Sequence, residues 1–292
     1  MEELKECPSC MSNDLSVVMK TKDYSVTQEN FTIARCNNCG LWFTNPRPSE
    51  NAIGRYYQSQ DYISHTNTSK GIINRLYHQV RNITLKKKVA LINSLHKGKG
   101  SILDMGCGTG YFLAACKNDG WKVEGMEPDD NARKMASEIT NTRINKSLDV
   151  VPNGPYDIIT LWHVLEHIHK LNETLETLYS KLSAKGKLII AVPNCSSYDA
   201  AKYDEKWAAY DVPRHLYHFT PETIKPLLKK HHFNIIDVKP MVFDSFYVSM
   251  ISEKYKGSGI IGLLKAFQTG LISNMKAGKN KSSSQIYIIE KA

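Results

Sequence analysis

No stretch of this 292-residue chain approaches the ~20 consecutive apolar residues that a membrane-spanning helix requires, and it carries no targeting segment and no internal repeat. These absences exclude helical membrane spans and solenoid folds, and lead to the expectation of a cytoplasmic enzyme. Acidic residues are the scarcer charge, 29 against 38 Lys and Arg, for a net +9. The excess sits in Lys86-Lys87-Lys88, Lys229-Lys230 and the lysines between 276 and 281. Such runs are ordinarily solvated helix faces or loops, so nucleic acid is not the expected partner. Hydrophobic residues at 41% and charged residues at 23% suit a folded enzyme, not a disordered chain.

Residues 101–110 read Ser-Ile-Leu-Asp-Met-Gly-Cys-Gly-Thr-Gly. An apolar strand runs into Asp104, then into a turn with glycine at 106, 108 and 110, and a helix follows from Tyr111. Glycines at this spacing let the backbone turn sharply and approach a ligand with no Cβ in the way. A dinucleotide fingerprint would need glycine where Tyr111 stands. The carboxylate before the first glycine would also repel a pyrophosphate, whereas it suits an ammonium group. A second strand, Lys122 to Met126, ends at Glu127, which is placed to grip ribose hydroxyls. Pro128 opens the next helix, with Asp129, Asp130 and Asn131 as cap candidates.

A short third strand is expected around Arg143–Asn145, and Tyr156 to Leu161 reads as a buried parallel strand. Trp162-His163-Val164-Leu165-Glu166-His167-Ile168 follows it directly. Zinc hydrolysis is rejected here, because among His163, His167 and His169 only the first pair shares a helical face and the H-E-x-x-H order is missing. A helix from Leu171 to about Leu182, and strands Lys187–Val192, Phe233–Met241 and Gln285–Glu290, complete an alternating α/β pattern. Such sheets bind ligands at the carboxyl ends of their strands.

The G-x-G-x-G turn and the His-Val-Leu-Glu-His run resemble the class I S-adenosylmethionine (SAM) methyltransferases. The resemblance implies a Rossmann-like seven-stranded sheet, with helices on both faces and strand seven antiparallel beside strand six. It implies SAM as cofactor and a cofactor site of Asp104, Gly106, Gly108, Gly110, Glu127, Ser147 and His163. Glu166 and His167 would start the following helix.

Cys7-Pro-Ser-Cys10 and Cys36-Asn-Asn-Cys39-Gly40 form two C-x-x-C knuckles, with room for a hairpin between them. Four thiolates so arranged suit a closed structural zinc site in a ribbon-like module over residues 1–48. A redox dithiol is disfavoured because neither pair follows a βαβ pattern. Disulfides are disfavoured because Cys107, Cys116 and Cys195 stand alone and no secretory leader is present. The module carries more acidic than basic residues, so it is expected to support the enzyme or frame its pocket.

Residues 49–97 read as a helical lid or linker, with Tyr56, Tyr57 and Tyr62 as lid or core residues. The catalytic domain then spans 98–292. Its substrate loop is expected at about 195–220, where Asp211, Arg214, His215 and His218 cluster in an aromatic stretch. This loop resembles that of a methyltransferase subgroup that also carries an N-terminal cysteine-rich module. The subgroup includes C-methyltransferases of nucleotide-linked keto sugars, in which a histidine matching His215 serves as base. His215, with His218 and Asp211, is therefore the catalytic candidate, against a structural histidine bonded to Asp211. Residues 243–281 read as a helical insertion, and a helix lying on a membrane surface is the lesser reading there. The expected function is SAM-dependent methylation of a small molecule at oxygen, nitrogen or carbon. The alternatives are an RNA methyltransferase and a non-catalytic zinc-ribbon protein that binds nucleic acid.

Overall fold

A computed structural model of the chain describes residues 1–57, 72–278 and 280–292; Tyr62 lies outside them. The N-terminal module is a hairpin of β1 (Leu15–Lys22) and β2 (Asn30–Cys36), followed by β3 (Trp42–Thr44). The hairpin joins the two cysteine knuckles, as their spacing allows. A long helix, α1 (Ile72–Leu95), leads into the catalytic domain.

That domain runs β4 (Ser101–Met105), α2 (Tyr111–Asn118), β5 (Lys122–Met126), α3 (Asp130–Thr140), β6 (Ile144–Asn145) and β7 (Tyr156–Trp162). It continues with α4 (Leu171–Lys181), β8 (Leu182–Pro193), α5 (Tyr198–Tyr203), β9 (Tyr217–His218), α6 (Pro221–Lys230) and β10 (Phe233–Pro240). Two helices, α7 (Asp244–Tyr255) and α8 (Ile261–Lys276), precede the last strand, β11 (Ser284–Lys291). The seven-stranded sheet has the order β10-β11-β8-β7-β4-β5-β6. β11 lies between β8 and β10 and is antiparallel to both, while β6, β5, β4, β7 and β8 run parallel. The expected Rossmann-like fold with an antiparallel last strand is the observed one.

Local chemistry explains these elements. The inner strands are apolar on both faces, as helix-covered parallel strands must be; Ile158, Ile159, Leu188 and Ile189 are all fully buried. Asp129 caps α3 by accepting from the Ala132 N–H at 2.8 Å. Thr220 and Thr223 form a capping box at the start of α6, with Pro221 in its first turn. Glu166 and His167 do not begin a helix. They lie in a single 3₁₀ turn, Leu165–His167, and α4 starts only at Leu171.

The cysteine module does not stand apart. Its sheet has four strands in the order β1-β2-β3-β9, and the fourth comes from the far side of the chain. Phe43 pairs with Tyr217, and Trp42 with His218. Cys7, Cys36, Leu41 and Phe43 share one apolar core with Leu103, Leu161 and Leu188 of the large sheet, through Leu216, Tyr217 and Phe219. The division at residue 48 therefore separates stretches of sequence and not layers of packing.

Candidate active site

The strand order turns back at β4, and the predicted cofactor residues gather at the carboxyl ends beside this switch point. Two of the three glycines are fixed by packing. A Cβ on Gly106 would lie 2.5 Å from Val164 Cγ2, and one on Gly110 would lie 2.8 Å from the Ala136 Cα of α3. Gly108, with φ +55°, faces open space, since a Cβ there would meet nothing within 4 Å. Asp104 is 2% exposed and accepts a hydrogen bond from Thr160 Oγ1 at 2.5 Å. Burial pushes its carboxyl up to about 7, against the pull of the Thr160 hydroxyl and the Lys88 ammonium. Glu127 accepts from the N–H groups of Gly108 and Asp129, both at 2.9 Å, and burial raises its pKa. Ser147 is half-buried just before the 3₁₀ turn Leu148–Val150 and makes no capping hydrogen bond there.

Lys88 belongs with this group, although no motif contains it. Its Nζ lies 4.0 Å from the centre of the Trp162 ring, and burial pulls its pKa down to about 8 while Asp104 and Asp244 hold it up. The signal was available in the spacing. Leu85, Val89 and Ile92 form the packed stripe of α1, and Lys88 lies on that stripe, one turn from both Leu85 and Ile92.

His163, just after β7, lies on the wall of a large cavity. Its φ is +57°, and its ring is held between Glu166 Oε1 at 3.3 Å from Nδ1 and Asp244 Oδ2 at 3.0 Å from Nε2. Burial works against the charged form, but the two carboxylates prevail and lift its pKa to about 10, so the ring is an imidazolium donating at both nitrogens.

That cavity is about 1270 Å³ in volume. Its walls include the hairpin tip of the cysteine module (Tyr24 to Val26), the loop from Ala208 to His215, α7 and the turn into α8. Tyr24 stacks on Tyr255 of α7 with ring centres 4.7 Å apart. Arg214 ties the loop to the hairpin. It donates to Asp211 at 2.6 and 2.9 Å, to Asp23 at 3.0 Å and to the Tyr56 carbonyl at 2.8 Å.

His215 lies against the cavity, and its Nδ1 is 2.8 Å from the Ala209 carbonyl. A carbonyl only accepts, so Nδ1 carries a proton that it donates there. Asp211, already claimed by Arg214, is 3.9 Å from that Nε2. His218 is not brought to the same place. It is buried in β9 with Nε2 3.3 Å from Thr44 Oγ1, and burial pulls its pKa down to about 3. His169 also points elsewhere, with Nε2 3.0 Å from the Pro48 carbonyl. His167 packs edge-on against the His215 ring, and its Nδ1 lies 3.0 Å from the Arg214 carbonyl.

The four knuckle cysteines converge, with all sulfurs within 4.8 Å of one another. Cys7–Cys39 and Cys10–Cys36 are each 3.5 Å apart, far longer than the ~2.05 Å of a disulfide. The N–H groups of Ser9 and Cys39 point at the sulfurs of Cys7 and Cys36, at 3.4 and 3.5 Å.

Residues 77–238, more than half of the chain, match a protein family described as a methyltransferase domain. The chain belongs to that family. The protein is a SAM-dependent methyltransferase. Its relatives include an uncharacterized methyltransferase of Staphylococcus carnosus, 22% identical over 176 residues, covering 59% of this chain and 82% of the relative. They also include a ubiquinone biosynthesis O-methyltransferase of Rickettsia bellii, 24% identical over 198 residues, covering 62% of this chain and 82% of the relative. A solved cyclopropane synthase of Mycobacterium tuberculosis superposes with a TM-score of 0.50 at 14% identity, covering 70% of this methyltransferase and 83% of that chain. That likeness concerns the fold alone.

Proposed function

We propose that this methyltransferase methylates a hydroxyl of a small molecule held in the 1270 Å³ cavity, with His215 as general base. The tautomer of His215 carries the proposal. The Ala209 carbonyl holds a proton on Nδ1, which leaves Nε2 of this cavity-lining residue as the nitrogen to take the acceptor's proton. The name of the Rickettsia bellii relative, an O-methyltransferase, supports an oxygen acceptor.

The donor set fits the cofactor. Asp104 suits its ammonium, Lys88 its carboxylate, Glu127 its ribose hydroxyls, and the open backbone of Gly108 permits close approach. SAM supplies a methyl on a positively charged sulfur, so the protein's own tasks are positioning and proton removal. His163 stays charged between Glu166 and Asp244 on the cavity wall. Nε2 of His215 takes the hydroxyl proton. Zinc fits the cysteine site on geometric grounds, because a tetrahedron with ~2.3 Å metal–sulfur bonds has sulfur–sulfur edges of about 3.8 Å. The near-neutral module gives no support to an RNA substrate.

Calorimetry with S-adenosylhomocysteine, followed by a labelled-methyl screen of metabolite extracts, tests the reading. Wild type and His215→Ala should bind the nucleoside equally, while turnover falls about 10²–10⁴-fold in the variant. A wild-type protein that does not bind it would overturn the cofactor site. Retained turnover in the variant would remove His215 as base.

A further inference from the structure

The α7–α8 hairpin is built inside out. Gly262, Ala266, Thr269, Gly270 and Ser273 of α8 are buried, as are Ser245, Val248, Ser249, Ser252 and Glu253 of α7, and Ser273 and Thr269 bond to Asp199 and Lys202 of α5. A Cβ on Gly270 would lie 2.6 Å from the Phe246 ring, and Ser245 Oγ donates to the Gly270 carbonyl at 3.2 Å. The large apolar side chains face outward: Leu264 is 75% exposed and Phe267 63%, with Ile261, Leu271 and Met275 along the same helix. Small residues inside and large apolar residues outside is the pattern of helices whose outer face meets lipid.

Charge and position say what covers that face. The hairpin has two acids, Asp244 on His163 and Glu253 on Ser258, both turned inward. Its exposed charges are all positive: Lys254 at the cavity, Lys256 and Lys276 over the rings of Tyr203 and Tyr198, and Lys265 on α8. In a twofold dimer through this face these lysines would approach their own copies, whereas an anionic surface complements them. At ~1.5 Å per residue α8 is about 24 Å long, too short to span a bilayer but suited to lying in its interface. Gly257 and Gly259, at the turn between the helices, and Leu263 in the first turn of α8 line the acceptor cavity.

We propose that the outer face of α8 seats the enzyme on an anionic phospholipid bilayer, and that the acceptor is a lipid-like molecule entering the cavity beside the α7–α8 turn. The substrate class rests on the proposed methyltransferase site; the docking does not. This raises the surface-helix reading above the plain insertion that the sequence favours.

Co-sedimentation with phosphatidylcholine vesicles, with and without phosphatidylglycerol, tests it. Wild type should pellet with the anionic vesicles, less so as salt rises. Leu264→Glu and Phe267→Glu should each weaken binding about tenfold or more, and Lys265→Glu about fivefold. All three should bind S-adenosylhomocysteine as wild type does, which shows that they fold. A wild type that stays in the supernatant at low salt overturns the docking, as do Glu variants that bind vesicles normally. So does a wild-type dimer, blind to vesicles, that these variants dissociate. Loss of nucleoside binding in wild type would instead sink the cofactor reading and leave the docking result standing.

Discussion

Replacing Arg214 by methionine should cost the fold about 3–5 kcal/mol near pH 7, the usual effect of breaking a buried charge pair. The guanidinium is 2% exposed and its partner Asp23 has no exposed side-chain surface, so the variant leaves a carboxylate sealed without its counter-charge. Burial alone would raise Asp23, yet the Thr27 N–H and Arg214 outweigh it and hold it below the usual range. Burial is likewise outweighed at Asp211, chiefly by Arg214. A carboxylate whose pKa is lower folded than unfolded adds stability above about pH 4, and this is lost as pH falls through the folded value. The wild type thus loses an increment in acid that the variant never had, and the gap between them should narrow as pH falls below about 4. Thermal denaturation should show a midpoint lower by on the order of 10 °C at neutral pH. Adding Asp23→Asn and Asp211→Asn should restore much of the loss, since the uncompensated charges go with them. A midpoint within about 2 °C of wild type at pH 7, or a gap that does not change with pH, would refute this reasoning.

Gly106→Ala should destabilise by roughly 1–3 kcal/mol, because its new methyl meets Val164 in a left-handed backbone. Gly108→Ala should cost only about 1 kcal/mol of fold but remove most nucleoside affinity, a contrast that melting curves and calorimetry read directly. A mercurial titration should release one zinc per chain from the cysteine site, and Cys36→Ser should lose both the metal and several kcal/mol of stability; metal analysis finding no zinc in native protein would dismiss the site. His163 is raised to about 10, so its charge adds stability that is complete below about pH 6.5 and lost as pH rises through about 10. Asp244→Asn should therefore lower the urea midpoint more at pH 7 than at pH 10. The effect should be modest, because the His163 side chain keeps 34% of its surface open to solvent.

Much of the fold was legible because parallel strands covered by helices write themselves as unbroken apolar runs. Lys122–Met126 was readable to the residue, and Tyr156–Trp162 to within one. The glycine turn was legible because positive φ and close packing leave few alternatives to glycine. Asp244 was not, since it depends on how a helix docks and belongs to no motif, and Lys88 showed only as a lysine on the apolar stripe of its helix. His215 and His218 looked alike in sequence, being three positions apart in one polar cluster. The Ala209 carbonyl and the pairing of β9 separate them, the first fixing one ring at the cavity wall and the second burying the other. Non-local contacts of this kind leave no local trace.

The pairing of β3 with β9 also bears on the order in which the protein can take shape during synthesis. The cysteine knuckles leave the ribosome early, but Thr44 contacts His218 174 positions later. Until that segment emerges, β3 presents an unpaired edge and the knuckles lack the rest of their core. A metal bound early by the four cysteines would hold the knuckles together through this interval and would help the cavity wall to its completion.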